Sequence, residues 1–451
     1  MSNACGRRRT SGDRRAMPRG PRRRAVGIAR IVALSVAWLA GLGCSPAPQR
    51  SQGCLGPWAV GYRRAMAVDR ARGGRALPLA IWYPVAPDEA RGRRASYACF
   101  EHPLLTLSIR SDPAVADAPI SRAQQWPLIV FSHGAPSLET QSPDYVETLA
   151  SWGFVVVAVR HVGSTIFDKR RAALPPASGA SAAANGAALD APRTIAAARR
   201  GERWALDLAS KPALFSLNRP FDVWFAIDWV AEQARDPSSF LHGAVDAARV
   251  GVTGHSAGGC TTLVAAAGYG GEPPDPRIKA IVAIATAATA IISEETLRSI
   301  TAPALFVAGD RDERTPWETE TRRAAERVAS RPAAIVKIHG AGHTHFADID
   351  GFARRLRSQG IYPWMWRWVG AGLLAGAYAE SHREGTLPPS AVQRILDKYA
   401  VAFFRLHLKG DRGASALLDP ARARSAEPLV EFLTPPFAPS GRLTEKSKND
   451  Q

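Results

Sequence analysis

The sequence predicts an α/β fold in which helices cover both faces of a doubly wound, mostly parallel sheet. Short, continuously apolar runs recur along the chain, and this pattern is typical of strands that are buried on both faces. Helical stretches separate most of these runs, as expected when a crossover helix follows each strand. The 451 residues are 46% hydrophobic and 22% charged, a composition that excludes wholesale disorder.

The predicted elements follow one another in a simple order. Two antiparallel strands, at residues 58–68 and 76–84, open the sheet. Six buried strands are predicted at residues 128–131, 154–159, 250–252, 278–284, 304–307 and 334–338. Helices are predicted at residues 144–151, 221–233, 315–330 and 391–408. These elements define one large domain at residues 57–435, followed by a flexible tail at residues 436–451.

Residues 1–43 are predicted to be an export signal. They carry ten arginines and one aspartate, and so they supply half of the net charge of +18. A run of arginines precedes an apolar stretch that is too short for a comfortable membrane span. The remaining charge is scattered, with no basic stripe interleaved with aromatic residues, so no nucleic-acid partner is expected.

Cys44 follows the apolar stretch directly. The small residues before it resemble a bacterial lipoprotein motif, so we predict that Cys44 is lipidated and that residues 44–56 form a linker. Gly41 stands where that motif usually has leucine, so ordinary cleavage nearby and an uncleaved anchor stay open. The domain is expected in the cell envelope as a membrane-anchored lipoprotein, or otherwise as a periplasmic or secreted protein. An oxidising compartment would allow a disulfide between Cys54 and Cys99, although spacing alone does not establish one.

Residues 254–259, Gly-His-Ser-Ala-Gly-Gly, are the most informative motif in the chain. A predicted strand precedes them and an apolar helical stretch follows them. A Gly-x-Ser-x-Gly turn in this context is typical of a nucleophile elbow, which exposes the serine hydroxyl at a helix N-terminus. Ser256 is therefore the predicted nucleophile, and an ordinary glycine-rich turn is the alternative.

A serine nucleophile needs a histidine base and a carboxylate, which this fold supplies in the chain order serine, acid, histidine. Asp312 is the predicted acid, because it follows the strand at residues 304–307 with the spacing from the glycine that this fold usually uses. Asp310 lies in the same turn and is the reserve candidate. His343 is the predicted base, because it follows the strand at residues 334–338 in a turn of small residues.

The neighbours of His343 allow a second interpretation. His339, His345 and Asp348 lie close to it in the sequence, and such a cluster could also hold a metal ion. We expect neither a metal nor a cofactor, because the serine elbow already requires a base at this position. His345 is expected to support the loop instead.

Two backbone amides are predicted to form an oxyanion hole. Ala135 follows the strand at residues 128–131, and Ala257 follows the nucleophile directly. Their side chains cannot donate hydrogen bonds, so the N–H groups would be the donors to a tetrahedral oxyanion. His133 is expected to buttress the first loop, and His255 is expected to point away from the pocket.

Two segments interrupt the alternation of strands and helices. Residues 171–200 are rich in alanine, serine, glycine and proline, and they are predicted to be a mobile insertion. Residues 352–389 form an aromatic-rich insertion near His343 that includes Trp364 and Trp366. We expect a lid-like segment whose tryptophans offer apolar area to an acyl group. The alternative is that they pack against the closing helix.

The chain resembles the α/β-hydrolase superfamily, nearest to bacterial dienelactone-hydrolase-like, polyester-hydrolase-like and platelet-activating-factor-acetylhydrolase-like esterases. The resemblance covers residues 56–433 and is carried by blocks at residues 127–134, 149–156, 254–259, 342–348 and 399–404. The acetylhydrolase likeness is strongest in the first and fourth blocks. In that branch the acid follows the strand after the elbow, but residues 281–290 contain no carboxylate. The pattern therefore favours the dienelactone and polyester hydrolases.

The resemblance implies a serine hydrolase that cleaves carboxylic esters of small molecules or lipids through an acyl-enzyme intermediate. A serine peptidase of the same fold is one alternative, but it would need a recognition site for a peptide amine or carboxylate. A catalytically inert envelope-binding lipoprotein is another, and the complete set of candidate catalytic residues argues against it. The fold alone does not identify the substrate.

Overall fold

The computed structural model describes residues 55–102, 105–166, 218–365 and 372–436. The predicted signal, Cys44, the insertion at residues 171–200 and the tail beyond residue 436 lie outside the described residues. The proposed pairing of Cys54 with Cys99 also falls outside them. Among the described residues, no helix has the length and apolar character needed to cross a membrane.

The described strands form one mixed sheet of 11 strands in the order β11-β10-β9-β8-β7-β5-β6-β2-β1-β4-β3. Their bounds are β1 (Ala59–Asp69), β2 (Arg75–Val85), β3 (Arg94–His102), β4 (Leu105–Ala116), β5 (Trp126–Ser132), β6 (Val155–Val159), β7 (Val245–His255), β8 (Ile278–Ile284), β9 (Ala304–Gly309), β10 (Ala333–Ile338) and β11 (Val430–Leu433). Strands β5 to β10 are parallel to their neighbours among themselves, and β1 and β2 form the predicted antiparallel pair. The α/β fold with a mostly parallel sheet is therefore confirmed.

Strands β3, β4 and β11 were not among the predicted elements. In β3, Ala95 and Tyr97 are buried whereas Arg94 and Ser96 are exposed, so the strand alternates instead of being continuously apolar. This alternation is typical of a strand near a sheet edge with one wet face, and a search for continuous apolar runs passes over it. Strand β11 has only four residues.

The described helices are α1 (Pro143–Ser151), α2 (Asn218–Arg235), α3 (Ala257–Ala267), α4 (Ala288–Ile291), α5 (Glu294–Arg298), α6 (Arg323–Arg327), α7 (Ile349–Arg357), α8 (Gly372–Ser381), α9 (Pro389–Lys409) and α10 (Pro420–Ala426). The single helix predicted at residues 315–330 is wrong in extent, because a π-helical turn at Glu318–Arg322 precedes the short α6. In this turn the buried Glu320 carboxylate accepts hydrogen bonds from the Thr289 amide and hydroxyl, at 2.9 and 3.0 Å. Such a tertiary contact is invisible to helical periodicity.

Two hydrophobic cores lie on opposite faces of the sheet, because successive strand residues point to opposite sides. Leu128 and Val130 of β5 belong to the core covered by α2 and α3. Ile129 and Phe131 of the same strand belong to the core covered by α1 and α9. Burial on both faces explains the continuous hydrophobicity of these strands. The carboxyl ends of the parallel strands meet at one edge, where folds of this class bind ligands.

Candidate active site

Ser256 lies in the turn between β7 and α3, as predicted. Its backbone has φ 58° and ψ −119°, a strained combination for a residue with a side chain. The Ser256 amide donates to the carbonyl oxygen of Ile284 at 2.8 Å, which ties the turn to the end of β8. The strained turn projects the half-buried hydroxyl at the N-terminus of α3.

The glycines around Ser256 are required by close backbone contact. A Cβ at Gly258 would lie 1.9 Å from the carbonyl oxygen of Ser132, and one at Gly254 would lie 2.5 Å from the same oxygen. Any side chain at these positions would force the elbow away from the end of β5. The glycine pattern therefore reflects the packing of the elbow as well as its conformation.

His343 lies between Ser256 and Asp312 and is hydrogen-bonded to both. Its Nε2 is 3.0 Å from the Ser256 Oγ, and its Nδ1 is 2.8 Å from the Asp312 Oδ2. Since a carboxylate only accepts, the Nδ1–H donates to Asp312, which leaves Nε2 to accept the serine proton. The structure therefore brings together the three predicted residues, with His343 and Asp312 buried.

Asp312 is held as a carboxylate by the hydrogen bonds around it. Its Oδ1 accepts from the backbone amides of Arg314 and Thr315 at 2.9 and 2.8 Å, and its Oδ2 accepts from the Thr315 hydroxyl at 2.7 Å. Burial by itself would raise the pKa of Asp312, but the His343 charge and these hydrogen bonds outweigh burial and lower it. Asp312 is therefore ionised at neutral pH and can orient His343.

Asp310, the reserve candidate, has other partners. Its carboxylate binds His339 Nδ1 at 2.9 Å and the Gly340 amide at 2.7 Å, on the more exposed side of the turn. The geometry therefore favours Asp312 as the partner of His343.

The predicted oxyanion donors lie on the two segments that meet at Ser256. Ala257 is the first residue of α3, and Ala135 follows the end of β5. Among the described residues, neither backbone amide donates to a protein acceptor. Within the described part of the chain, both N–H groups therefore remain available as donors.

Two family models match parts of the chain. The PET hydrolase-like model matches residues 217–373, a region that contains Ser256, Asp312 and His343. The model for platelet-activating factor acetylhydrolase, isoform II, matches residues 96–167, which contain Ala135. The chain resembles α/β-hydrolase serine esterases. No curated protein gave a match.

These matches confirm the resemblance to polyester-hydrolase-like and acetylhydrolase-like serine esterases. The acetylhydrolase match includes the block at residues 127–134 but not the block at residues 342–348, which lies in the PET hydrolase-like match.

The loop at residues 339–348, the base loop, carries His343 and is held in place by His345. The His345 Nδ1 accepts from the Gly342 amide at 3.1 Å, and its Nε2–H donates to the Leu387 carbonyl at 3.1 Å, so His345 supports the loop. The three histidines of this loop bind separate partners. No group of three or more metal-ligating side chains occurs in the residues that the structure describes, so the geometry does not favour the metal-site interpretation.

His255 is buried and contacts both Gln141 and the backbone of His343. Gln141 accepts from the Gly134 amide at 2.7 Å through Oε1 and donates through Nε2 to His255 Nδ1 at 2.9 Å. The His255 Nε2–H then donates to the His343 carbonyl at 3.1 Å. Burial, together with the nearby His343 charge, lowers the pKa of His255 to about 3, so the ring is neutral. This chain of contacts links the loop at residues 133–136 that carries Ala135, the oxyanion loop, to the base loop.

A second serine, histidine and aspartate are hydrogen-bonded in a row behind the oxyanion loop. The Ser132 hydroxyl donates to His161 Nε2 at 2.8 Å, and the His161 Nδ1–H donates to Asp222 at 3.1 Å. All three are fully buried. Arg72 and Arg75 also donate to Asp222, at 2.7 and 2.8 Å. Sequence reasoning missed this set, because its members belong to no common motif.

The described part of the insertion at residues 352–389 lies against the acid and base loops. Arg314 pairs with Glu380 at 2.5 Å, and the Leu387 amide donates to the Gly340 carbonyl at 2.9 Å. Trp364 is 63% exposed. Trp366 lies outside the described residues.

Proposed function

We propose that this protein is a serine hydrolase that cleaves carboxylic esters through an acyl-enzyme. The observation that carries the proposal is the hydrogen-bonded row Ser256–His343–Asp312, which begins at a strained strand-to-helix turn. Three further facts support it: Asp312 is ionised, the Ala135 and Ala257 amides have no acceptor among the described residues, and both matched families are esterases.

In the first half-reaction, Ser256 Oγ attacks the ester carbonyl carbon while His343 Nε2 takes the hydroxyl proton. The carbonyl oxygen becomes an oxyanion that accepts hydrogen bonds from the Ala135 and Ala257 amides. Asp312 stabilises the imidazolium and keeps its Nδ1 protonated. When the bond to the alcohol breaks, His343 returns the proton to the leaving oxygen, and the acyl group remains on Ser256.

In the second half-reaction, water takes the place of the alcohol. His343 removes a proton from the water, whose oxygen attacks the acyl carbon and forms a second oxyanion in the same hole. Collapse of this intermediate releases the acid and returns the proton to Ser256. The chain's own residues therefore account for every proton transfer.

We further propose that the described part of the insertion at residues 352–389 borders the acyl side of the pocket, because Glu380 and Leu387 contact the loops that carry Asp312 and His343. Lipid anchoring through Cys44, and with it a location in the cell envelope, stays a prediction from the sequence. The two alternative functions, peptidase and inert binding protein, have no contact or family match in their favour.

The proposal is tested with a fluorophosphonate probe and a panel of p-nitrophenyl esters of increasing acyl length, with aminoacyl anilides beside them. The wild-type protein should be labelled and should hydrolyse the esters faster than the anilides. The Ser256→Ala variant should lose both labelling and turnover while keeping its melting temperature, because it removes a single oxygen. Ser238→Ala, which changes a serine in an exposed turn, is the matched control and should behave as wild type.

Two results would overturn the proposal. One is full ester turnover by Ser256→Ala. The other is a folded wild-type protein that neither reacts with the probe nor hydrolyses any ester. Faster cleavage of the anilides would favour the peptidase.

A further inference from the structure

Arg219, in the first turn of α2, is a buried arginine that binds backbone carbonyls. Its Nη1 donates to the His133 carbonyl at 2.7 Å and its Nη2 to the Gly134 carbonyl at 3.3 Å. Its Nε donates to the Ser164 hydroxyl at 3.1 Å. The side chain is 2% exposed, so its charge is directed at the loop that carries Ala135.

These contacts fix the direction of the Ala135 amide. In a trans peptide the C=O and N–H groups point in opposite directions, so the Gly134 carbonyl determines where the Ala135 N–H points. That carbonyl also accepts from His133 Nδ1 at 2.6 Å. The Gly134 amide is held separately by Gln141 at 2.7 Å. Two consecutive peptides are therefore pinned, and the Ala135 N–H points away from Arg219.

Retaining a charge at this buried position costs free energy that hydrogen bonds must offset. Burial lowers the pKa of Arg219 to about 10, so the guanidinium is still charged at neutral pH. The nearby Asp222 is already bound by His161, Arg72 and Arg75, and its charge partly supports Arg219 from a distance. The direct contacts of the guanidinium are therefore with the oxyanion loop and Ser164.

We propose that Arg219 is a positioning residue for the oxyanion hole: it aims the Ala135 N–H at the reacting carbonyl oxygen and polarises it. A cation at the carbonyl end of a peptide draws electron density from the amide end, which makes that N–H a stronger donor. The positive charge behind the loop also favours the developing oxyanion. This inference rests on the proposed ester hydrolysis at Ser256.

The test compares Arg219→Met, which keeps the volume and removes the charge, with Arg219→Lys, which keeps the charge but cannot hold both carbonyls. Arg249→Met is the matched control, because Arg249 also donates to a backbone carbonyl, that of Leu408 at 3.1 Å. Each variant is assayed with p-nitrophenyl butyrate and with butylboronic acid as a probe of the tetrahedral state. Melting temperatures are measured for all of them.

We expect kcat of Arg219→Met to fall by about 10- to 100-fold with KM changed less than about threefold, since removal of a whole oxyanion donor costs about 10²- to 10³-fold. The inhibition constant for the boronic acid should rise by a similar factor. Arg219→Lys should lose less, and Arg249→Met should stay within about twofold of wild type.

Wild-type kcat and boronate affinity in either folded Arg219 variant would overturn the inference. If Arg219→Met does not fold, the kinetics of Arg219→Lys alone decide whether the inference holds. A loss confined to melting temperature would show that Arg219 only supports the fold. A rise in KM without a fall in kcat would show that it contributes to substrate binding and not to the oxyanion hole, which would also overturn the inference. These outcomes differ from failure of the proposed function, in which wild type itself is inactive or Ser256→Ala stays active and the role of Arg219 falls with it.

Discussion

The part of the chain that the structure describes contains two hydrogen-bonded rows of serine, histidine and aspartate, and we propose catalysis for only one of them. In the first row the histidine lies 3.0 Å from Ser256 and 2.8 Å from Asp312. In the second row His161 lies 2.8 Å from Ser132 and 3.1 Å from Asp222. The distances between side chains do not distinguish the two rows.

Their surroundings do distinguish them. Ser256 has a strained backbone at a helix N-terminus and a half-buried side chain. Ser132 is the last residue of β5 and is fully buried. Burial and the nearby Arg219 charge lower the pKa of His161 to about 4, so this imidazole resists the protonation that a general base must undergo. A catalytic row is therefore identified by access and backbone conformation as well as by residue type.

The aspartates of the two rows give the largest expected contrast. Asp312→Asn should lower kcat by about ten-thousand-fold with little change in melting temperature, because the histidine loses its orienting partner. Asp222→Asn should instead lower the free energy of unfolding by a few kcal/mol, because Arg72 and Arg75 lose their shared carboxylate. Steady-state kinetics and urea unfolding of both variants measure the contrast.

Asp310→Asn is the control for this comparison, because Asp310 pairs with the half-exposed His339. Its kcat should change by less than about threefold. A ten-thousand-fold loss in a folded Asp222→Asn variant would mean that the buried row takes part in the chemistry. A larger loss in Asp310→Asn than in Asp312→Asn would mean that the acid is Asp310.

Sequence reasoning found the first row and missed the second for a physical reason. Ser256, Asp312 and His343 each follow a buried strand, so the parallel topology brings their loops to one edge of the sheet. Asp222 lies instead within α2, where nothing in the local pattern separates a buried carboxylate from a solvated one. Its burial depends on Arg75, which is 147 residues away in the chain.

Features without a strong local sequence pattern were also missed at the edges of the sheet and around the oxyanion loop. The central strands were predictable because burial on both faces leaves a continuous apolar run, whereas the alternating β3 leaves a weaker signal. The position of Ala135 after β5 was predictable, and its role as an oxyanion donor stays a prediction. Gln141 and Arg219, which hold that loop, contact it only through the tertiary structure.

Acid should weaken the structure through the histidines that are buried in the neutral form. Burial lowers the pKa of His133, of His161 to about 4 and of His255 to about 3. Between these values and about 6.5 the unfolded chain binds more protons than the folded one, so stability rises with pH in this window and is lost as pH falls through it. Above about pH 6.5 the histidines contribute no further change.

The contribution of His161 to this loss of stability in acid is measured by comparing wild type with His161→Asn, whose side-chain amide can still donate to Asp222. The free energy of unfolding of wild type should fall between about pH 6.5 and 4, by an amount on the order of 3 kcal/mol from His161. The free energy of unfolding should depend less steeply on pH in His161→Asn than in wild type. Because burial raises the pKa of Asp348, that carboxyl acts in the opposite direction, and taking the difference between the two proteins removes its effect. Identical slopes would show that His161 does not titrate as argued.

The smallest expected effect comes from the serine of the buried row. Ser132→Ala removes the hydroxyl that donates to His161 Nε2, leaving one buried acceptor unpaired, which costs about 1–2 kcal/mol. Its kcat should stay within about threefold of wild type, because the elbow glycines contact the Ser132 backbone carbonyl and this atom remains in place. Ser256→Ala, with the same loss of one oxygen, should lose all turnover at nearly unchanged stability. Equal losses of activity in the two variants would contradict this expectation, because they would mean that the Ser132 hydroxyl is as important for turnover as the Ser256 hydroxyl.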